Sequence, residues 1–288
     1  MVSSFLLKLD HSNNYHVRRH REAIEIHKHV DNFNRKEETT KMNKIWLSVL
    51  KNSKIKIVDG NQHSEGRAQL MTNKGYGIRG DTLIDIGSGP SIYQLLSACE
   101  SFREIIVTDF LEQNRVEIRK WLEKDPEAFD WTSMVKYTCQ MEGDREKWME
   151  KEEKLRRTIK QVLPCDVTLA NPLDPLVLQP VDCVFSSYCL ESACNDVPTY
   201  RSAVKNVGSL VKPGGHLIFA VILEETYYMV GPHKFNCLYL TPEIVTDAVK
   251  GAGFEVLWSQ ALGFTFPLAI CDAKDTFFIV AKKPSKSQ

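Results

Sequence analysis

From residue 81 the chain alternates short apolar runs with longer amphipathic stretches. Residues 82–86 (TLIDI) form an apolar run that stops at a glycine turn, the pattern of a buried strand. From Ser91 to Ser101, Ile92, Leu95, Leu96 and Cys99 share one face, which predicts a helix. A second strand is expected over residues 104–109 (EIIVTD) and a helix from Gln113 through Leu122. The stretch from Glu142 to Val162 is heavily charged and predicts a solvated helix laced with i,i+4 ion pairs. Residues 165–167 (CDV) read as a short strand, and residues 181–187 (VDCVFSS) as a strand ending in polar residues. A helix from Tyr200 to Val211 is broken by Lys212-Pro213-Gly214-Gly215, and residues 216–223 (HLIFAVIL) form the next strand. Thr241, followed by Pro242 and Glu243, is placed to cap a helix running to Gly251. Residues 254–258 and 277–281 complete the strands.

Strands separated by helices imply βαβ units and a mostly parallel sheet. Ligands of such sheets bind beyond the carboxyl ends of the strands, so the informative residues are those just after each strand. Residues 1 to about 78 have a different character. They are polar, rich in His, Asn, Lys and Arg, with one apolar stretch at Ile45 to Leu50. The expected division is a divergent N-terminal segment over 1–79, a lid or disordered, and a ligand-binding domain over 80–288.

The 37 basic and 37 acidic residues cancel. That balance provides no polyanion track and argues against nucleic acid or an anionic membrane as the main partner. No stretch approaches the ~20 apolar residues needed to span a bilayer. The N-terminus lacks the basic start and small-residue cleavage site of a signal peptide. Eight cysteines form no CxxC pair, and several lie in apolar runs. They suit neither zinc nor a disulfide framework, and read as reduced, mostly buried thiols of a cytoplasmic protein. A monomer is the expected state. In the run His11, His16, His20, His27, His29, the His16–His20 pair has chelating spacing, but no carboxylate or Cys signature accompanies it and a solvated polar helix is the simpler reading.

The first strand ends in Gly87-Ser88-Gly89-Pro90. Glycines here let backbone N–H groups approach a ligand closely. The dinucleotide pattern G-x-G-x-x-G fails, because its third glycine position is Ile92. Pro90 also removes one donor, which suits a carboxylate and amine better than phosphates. Asp109 ends the second strand, where a carboxylate can accept from both ribose hydroxyls. Asp166 follows the third strand and can accept from an adenine amine, with Cys165 and Val167 flanking the ring. Asp85 lies within the first strand and reads as the residue that orients the glycine loop. Either Asp109 or Asp166 alone could merely cap a helix. Together with the loop, in this order, they point to S-adenosylmethionine.

The segment DTLIDIGSGPSIYQLLSACESFREIIVTDF, followed by WLEKDPEAFDW, PCDV, VDCVFSSYCLESAC and LVKPGGHLIF, resembles the small-molecule amine N-methyltransferases. These are the nicotinamide, phenylethanolamine and indolethylamine enzymes, and the likeness runs from about residue 80 to residue 283. The resemblance implies a Rossmann-like class I methyltransferase with a seven-stranded, mostly parallel sheet, helices on both faces and an N-terminal lid. It also implies that Gly87, Ser88 and Tyr93 contact the methionine part of the cofactor, Asp109 and Asn114 the ribose and adenosine, and Asp166 and Val167 the adenine. Ser187 matches a threonine at the methionine end, and Tyr228 a tyrosine that stacks on the acceptor ring.

Two departures bear on the acceptor. Nicotinamide enzymes carry an aspartate where this chain has Val221, and serines where it has Cys237 and Glu225. A valine cannot bond a carboxamide, and an unpaired amide costs about 1–3 kcal/mol. The expected acceptor is therefore a small-molecule amine, a pyridine-type nitrogen or a thioether, with nicotinamide disfavoured. The family's tyrosine-rich lid motif is absent from residues 1–80, where Tyr15 and Tyr76 are the only tyrosines. That leaves a second reading, a methyltransferase-like protein that binds cofactor without turnover. A primary amine must lose a proton before attack, and Glu191, in SSYCLES, is placed to accept it directly or through water. Its alternative is a solvated carboxylate at a helix start. For Tyr228 the alternative is core packing of the Tyr227-Tyr228 pair.

Overall fold

The computed structural model describes residues 77–230, 232–263 and 268–285. The expectations for Ile45–Leu50, the His16–His20 pair and a lid lie outside the described residues. Nine strands and six α-helices are described: β1 (Gly80–Ile86), β2 (Phe102–Asp109), α1 (Glu112–Glu123), α2 (Thr132–Glu142), α3 (Trp148–Thr158), β3 (Ile159–Pro164), β4 (Val181–Ser187), α4 (Leu190–Ala193), α5 (Val197–Ser209), β5 (Val211–Leu223), β6 (Tyr227–Val230), β7 (His233–Asn236), α6 (Pro242–Gly251), β8 (Glu255–Gly263) and β9 (Asp275–Lys282).

Seven strands form one sheet in the order β3-β2-β1-β4-β5-β9-β8. Only β9 runs against the rest, pairing antiparallel with both β5 and β8. The chain leaves β1 toward β2 and β3, then returns to β4 and β5 on the other side. The carboxyl ends of β1 and β4 therefore flank a topological switch point, the place where ligands of such sheets bind. β6 and β7 pair with each other in a separate two-stranded ribbon.

The period of two in the central strands divides the core. Ile84, Ile86, Val184, Leu217 and Phe219 face α5 and α6, with Val204, Val207, Val245 and Val249 against them. Leu83, Phe185, Ile218, Phe278 and Val280 face the other side, with Ile118 and Trp121 of α1, Val135 of α2 and Leu155 of α3. The expected cap is present: the Thr241 side chain accepts from Ile244 N–H, with Pro242 opening α6. Asp196 caps α5 in the same way, accepting from Thr199 N–H at 2.7 Å.

Several expectations require correction. Ser91 to Ser101 is not an α-helix but two 3-10 turns, Tyr93–Leu95 and Ala98–Glu100. The Gln94 amide donates to the carbonyls of Ser88 and Ser91 at 3.2 and 3.1 Å. The Ser91 carbonyl is the one an α-helix would offer to Leu95, whose N–H turns to Ile92 instead. The charged helix does not run from 142 to 162: Gly143, at φ +103°, ends α2, α3 starts at Trp148, and the chain turns into β3 at Ile159. The third strand is thus residues 159–164 rather than 165–167. It is an edge strand with exposed Lys160 and Gln161, so polar side chains conceal its period. Lys151 of α3 is not solvated either, since it is buried against Glu100 and Glu142. α2 and the β6–β7 ribbon carry too little apolar periodicity to be read in the sequence.

Candidate functional site

Gly87 and Gly89 both adopt positive φ, at +70° and +62°. At Gly87 the lack of a side chain is also a packing requirement, because a Cβ there would overlap the Cys189 sulfur just before α4. Ser88 N–H donates to Thr108 O of β2 at 2.9 Å, and Thr108 Oγ1 donates back to Asp85 O at 2.8 Å. The loop is thereby pinned across the β1–β2 pair.

Asp85 is fully buried. Its Oδ2 accepts from Ser88 Oγ at 2.7 Å and from Gln94 Nε2 at 3.0 Å. Its Oδ1 has no partner within the protein. Burial pushes its pKa up to about 7, against the pull of those two bonds. Through the Ser88 hydroxyl and the Gln94 amide, Asp85 is tied to the glycine loop and to the turn that follows it.

Asp109 closes the other side. Its Oδ2 accepts from Gly89 N–H at 2.9 Å, and its Oδ1 accepts from Leu111 N–H at 2.9 Å and Asn114 Nδ2 at 3.0 Å. Beneath it, the nearly buried Arg115 donates from Nη1 to the carbonyls of Asp109 and Phe110 at 2.6 and 2.9 Å. Cys165 N–H donates to Asp109 O at 3.2 Å, which brings the end of β3 to this corner. Burial raises the Cys165 thiol pKa, so it stays protonated beside the site. Asp166 Oδ1 accepts from Thr168 N–H and hydroxyl at 2.9 and 2.6 Å, forming a local turn, while Val167 is buried next to it. Ser186 donates to Ile86 O at 2.9 Å, so half-buried Ser187 stands at the end of β4 beside the glycine loop. Tyr93 is buried, its ring 6.1 Å from that of Trp131.

One continuous set of bonds thus joins Asp85, Ser88, Gly89, Asp109, Asn114 and Cys165. Gln94 and Arg115 belong to it and Cys189 packs against its loop, and none of the three was singled out from the sequence. Gln94 looked like one more residue of a helix, Arg115 like one more surface charge and Cys189 like one more core thiol.

A second group lies past the end of β5. Glu191 is buried, which removes the reading of a solvated carboxylate. Its Oε1 accepts from Ile222 N–H of β5 at 2.8 Å, and its backbone carbonyl accepts from Leu238 N–H at 2.9 Å. Tyr228 is half-buried, stacked on Phe235 with ring centroids 5.6 Å apart. Tyr228 also forms a bridge with Cys271, and buried Glu225 hydrogen-bonds the Cys271 thiol. Burial first, and then Glu225, hold that thiol up at about 11. Val221 is buried in β5 opposite Phe277.

The profile of the NNMT/PNMT/TEMT family matches residues 62–284. The chain belongs to that family. Human nicotinamide N-methyltransferase is 52% identical over 210 residues, covering 73% of this chain and 80% of that one. Mouse indolethylamine N-methyltransferase is 51% identical over 207 residues, covering 72% and 78%. Macaque phenylethanolamine N-methyltransferase is 41% identical over 211 residues, covering 72% and 74%. Among solved structures, an S-adenosylmethionine-dependent methyltransferase from Methanosarcina mazei aligns with TM-score 0.50 at 13% identity, covering 72% of this chain and 94% of that one. That likeness bears on the fold alone, which is the expected Rossmann-like methyltransferase fold. The family member described here is an S-adenosylmethionine-dependent N-methyltransferase. No helix of the described residues is long and apolar enough to cross a membrane.

Proposed function

We propose that this enzyme methylates the nitrogen of a small-molecule amine, with S-adenosylmethionine lying over the corner that the glycine loop and Asp109 form together. The observation that carries the cofactor's placement is the bond from Gly89 N–H to Asp109, which joins the loop after β1 to the carboxylate after β2. The residues fit the group. Asp85 Oδ1 is a buried acceptor without a partner, suited to a cationic amine, and Gly89, at positive φ, leaves open space on the loop where a side chain would stand. Gly87, Ser88, Tyr93 and Ser187 would hold the methionine end. Asp109 and Asn114 would hold the ribose, and Cys165, Asp166 and Val167 the adenine. When bound, the cofactor supplies an electrophilic methyl group on a sulfonium.

The chain's task is then alignment and exclusion of water. Tyr228, backed by Phe235, offers a flat face for an aromatic acceptor. Val221 gives a carboxamide nothing to bond, whereas Glu225 puts a buried carboxylate next to Cys271 and Tyr228. That favours an ammonium-bearing acceptor over nicotinamide. A protonated amine must shed a proton before its lone pair can attack. We assign Glu225 the contact with the amine. Glu191, fixed to the β5 backbone, is assigned the acceptance of the proton through an intervening water. The site is assigned to a cytoplasmic, monomeric enzyme, and its free, mostly buried cysteines support the reducing compartment.

Asp109→Ala tests the cofactor assignment. Loss of a charge-assisted pair of bonds to the ribose should weaken S-adenosylhomocysteine binding by about tenfold or more in calorimetry. Undiminished affinity would sink the assignment. Turnover of labelled cofactor with tryptamine, quinoline, dimethyl selenide and nicotinamide tests the acceptor. Tryptamine is expected to outrun nicotinamide, and the reverse order rejects the amine reading. Binding without product across the panel favours a protein that holds cofactor without turnover.

A further inference from the structure

The β6–β7 ribbon carries Tyr228, yet it shares no ladder with the seven-stranded sheet. A two-stranded ribbon is marginal by itself, so its placement depends on whatever anchors it. The anchor is the stretch just before β9. Three donors from two adjacent residues converge on half-buried Asp272. Thr226 N–H and Tyr227 N–H donate to Oδ1 at 2.8 and 3.1 Å, and the Thr226 hydroxyl donates to Oδ2 at 2.5 Å. Further along, Met229 N–H donates to Ile270 O at 2.7 Å and the Tyr227 hydroxyl to Leu268 O at 2.6 Å. Asp272 is the charged acceptor of the set, and charge-assisted bonds are roughly twice as strong as neutral ones. Burial works to raise its pKa, but the bonds from Thr226 and Tyr227 prevail and hold the carboxyl below its ordinary range.

We infer that Asp272 is a positioning residue for the acceptor: by clamping Thr226 and Tyr227 it fixes the start of β6, and so the height and tilt of the Tyr228 ring on which the acceptor lies. The inference rests on the reading of Tyr228 as the acceptor platform. Asp272 touches neither reactant in this scheme. Its influence belongs to the acceptor side, because β9 stands three strands from β1 in the sheet. Cofactor binding should therefore be indifferent to it. Thr226 takes part through its hydroxyl as well as its N–H, so Thr226→Val removes one of the three bonds and leaves the other two.

The test uses the full chain with Asp272→Ala, Asp272→Asn and Thr226→Val, tryptamine as acceptor, and hydrogen exchange of the ribbon amides as a readout free of turnover. In Asp272→Ala, KM for tryptamine should rise about tenfold or more, with kcat and S-adenosylhomocysteine affinity within about twofold to threefold. Amides of residues 227–236 should exchange about tenfold faster, while those of β5 keep their rates. Asp272→Asn and Thr226→Val should fall between wild type and Asp272→Ala. Unchanged ribbon exchange, an unchanged KM, or an equal loss of cofactor affinity in Asp272→Ala overturns the inference. Should the wild-type chain turn over no amine, the platform reading fails by itself, and the clamp then stands or falls on the exchange rates alone.

Discussion

Asp85 is a carboxylate that the fold keeps dry. In an unfolded chain it would titrate near about 3.9, whereas burial moves it to about 7 in the native protein. Below both values it is protonated in either state and costs nothing. As pH rises through the window between them, the unfolded chain releases a proton that the folded chain still holds, so stability falls. Above about 7 the loss is complete and levels off. Asp85→Asn keeps an acceptor for Ser88 without the titration. The Tm of cofactor-free wild type, measured relative to Asp85→Asn, should therefore drop between pH 5 and 7.5 and then stay flat. A difference that does not vary with pH would contradict the buried-charge account. Asp85 and Asp109 stand out in the sequence because one lies inside an apolar run and the other ends one, each carrying a charge that the core would otherwise reject. The sequence could not show Gln94 or Arg115 serving them. Most of their bonds go to backbone carbonyls at the turns, and the one from Gln94 to the Asp85 carboxylate spans nine residues, so residue type alone leaves no trace of them.

At the scale of elements, α3 shows how a charged run can be misread. Its composition is that of a solvated helix, and Arg156 and Glu152 do pair at i,i+4, 3.0 Å apart. Lys151, however, has only 7% of its side chain exposed and bridges Glu142 of α2 and Glu100 of the 3-10 turn. Burial opposes its charge, but Glu142 and its neighbours more than compensate and keep the ammonium firmly protonated. That pairing ties two helices to the segment that descends from the glycine loop. Removing Lys151 leaves the nearly buried Glu142 without its ammonium, while Glu100 keeps Lys154, and the cost should be about 3 kcal/mol. Lys151→Met should lower Tm by roughly 6–12 °C in a scanning melt, and Lys151→Met with Glu142→Leu should recover part of the loss. An unchanged melt in the single variant would mean that water screens the cluster. The strands fared better from sequence where they are central: β1, β2 and β4 bury both faces over their inner residues, so each shows a mostly apolar run. β3 is an edge and mixes its signals. Ser91 to Ser101 has helical periodicity, but a single buried amide outcompetes the helix for its carbonyls.

The whole molecule was legible as an architecture because strand and helix alternate over most of the described chain, and as a family because the glycine loop, PCDV and KPGG occur in order. The acceptor end was less so. It is assembled from the end of β5, the ribbon that follows it and the stretch before β9, which lies 46 residues on from Thr226 at Asp272, and these segments carry no shared period.

The position of β9 has a consequence for how the molecule is made. β8 reaches the sheet only through β9, which inserts between it and β5. During synthesis, residues 255–263 emerge first and have no partner to join until the last strand follows them. Meanwhile β5, a long apolar strand, presents an open edge of the kind that recruits other chains. The outer sheet and the Asp272 clamp must therefore form late, in one step. A nascent chain held on the ribosome by an arrest peptide should show no pulling force from this half until residue 282 has cleared the exit tunnel. Chains released at residue 274 should pass to aggregates in size-exclusion chromatography. A soluble, monomeric product from that release would show that β8 can close the edge without its intermediary.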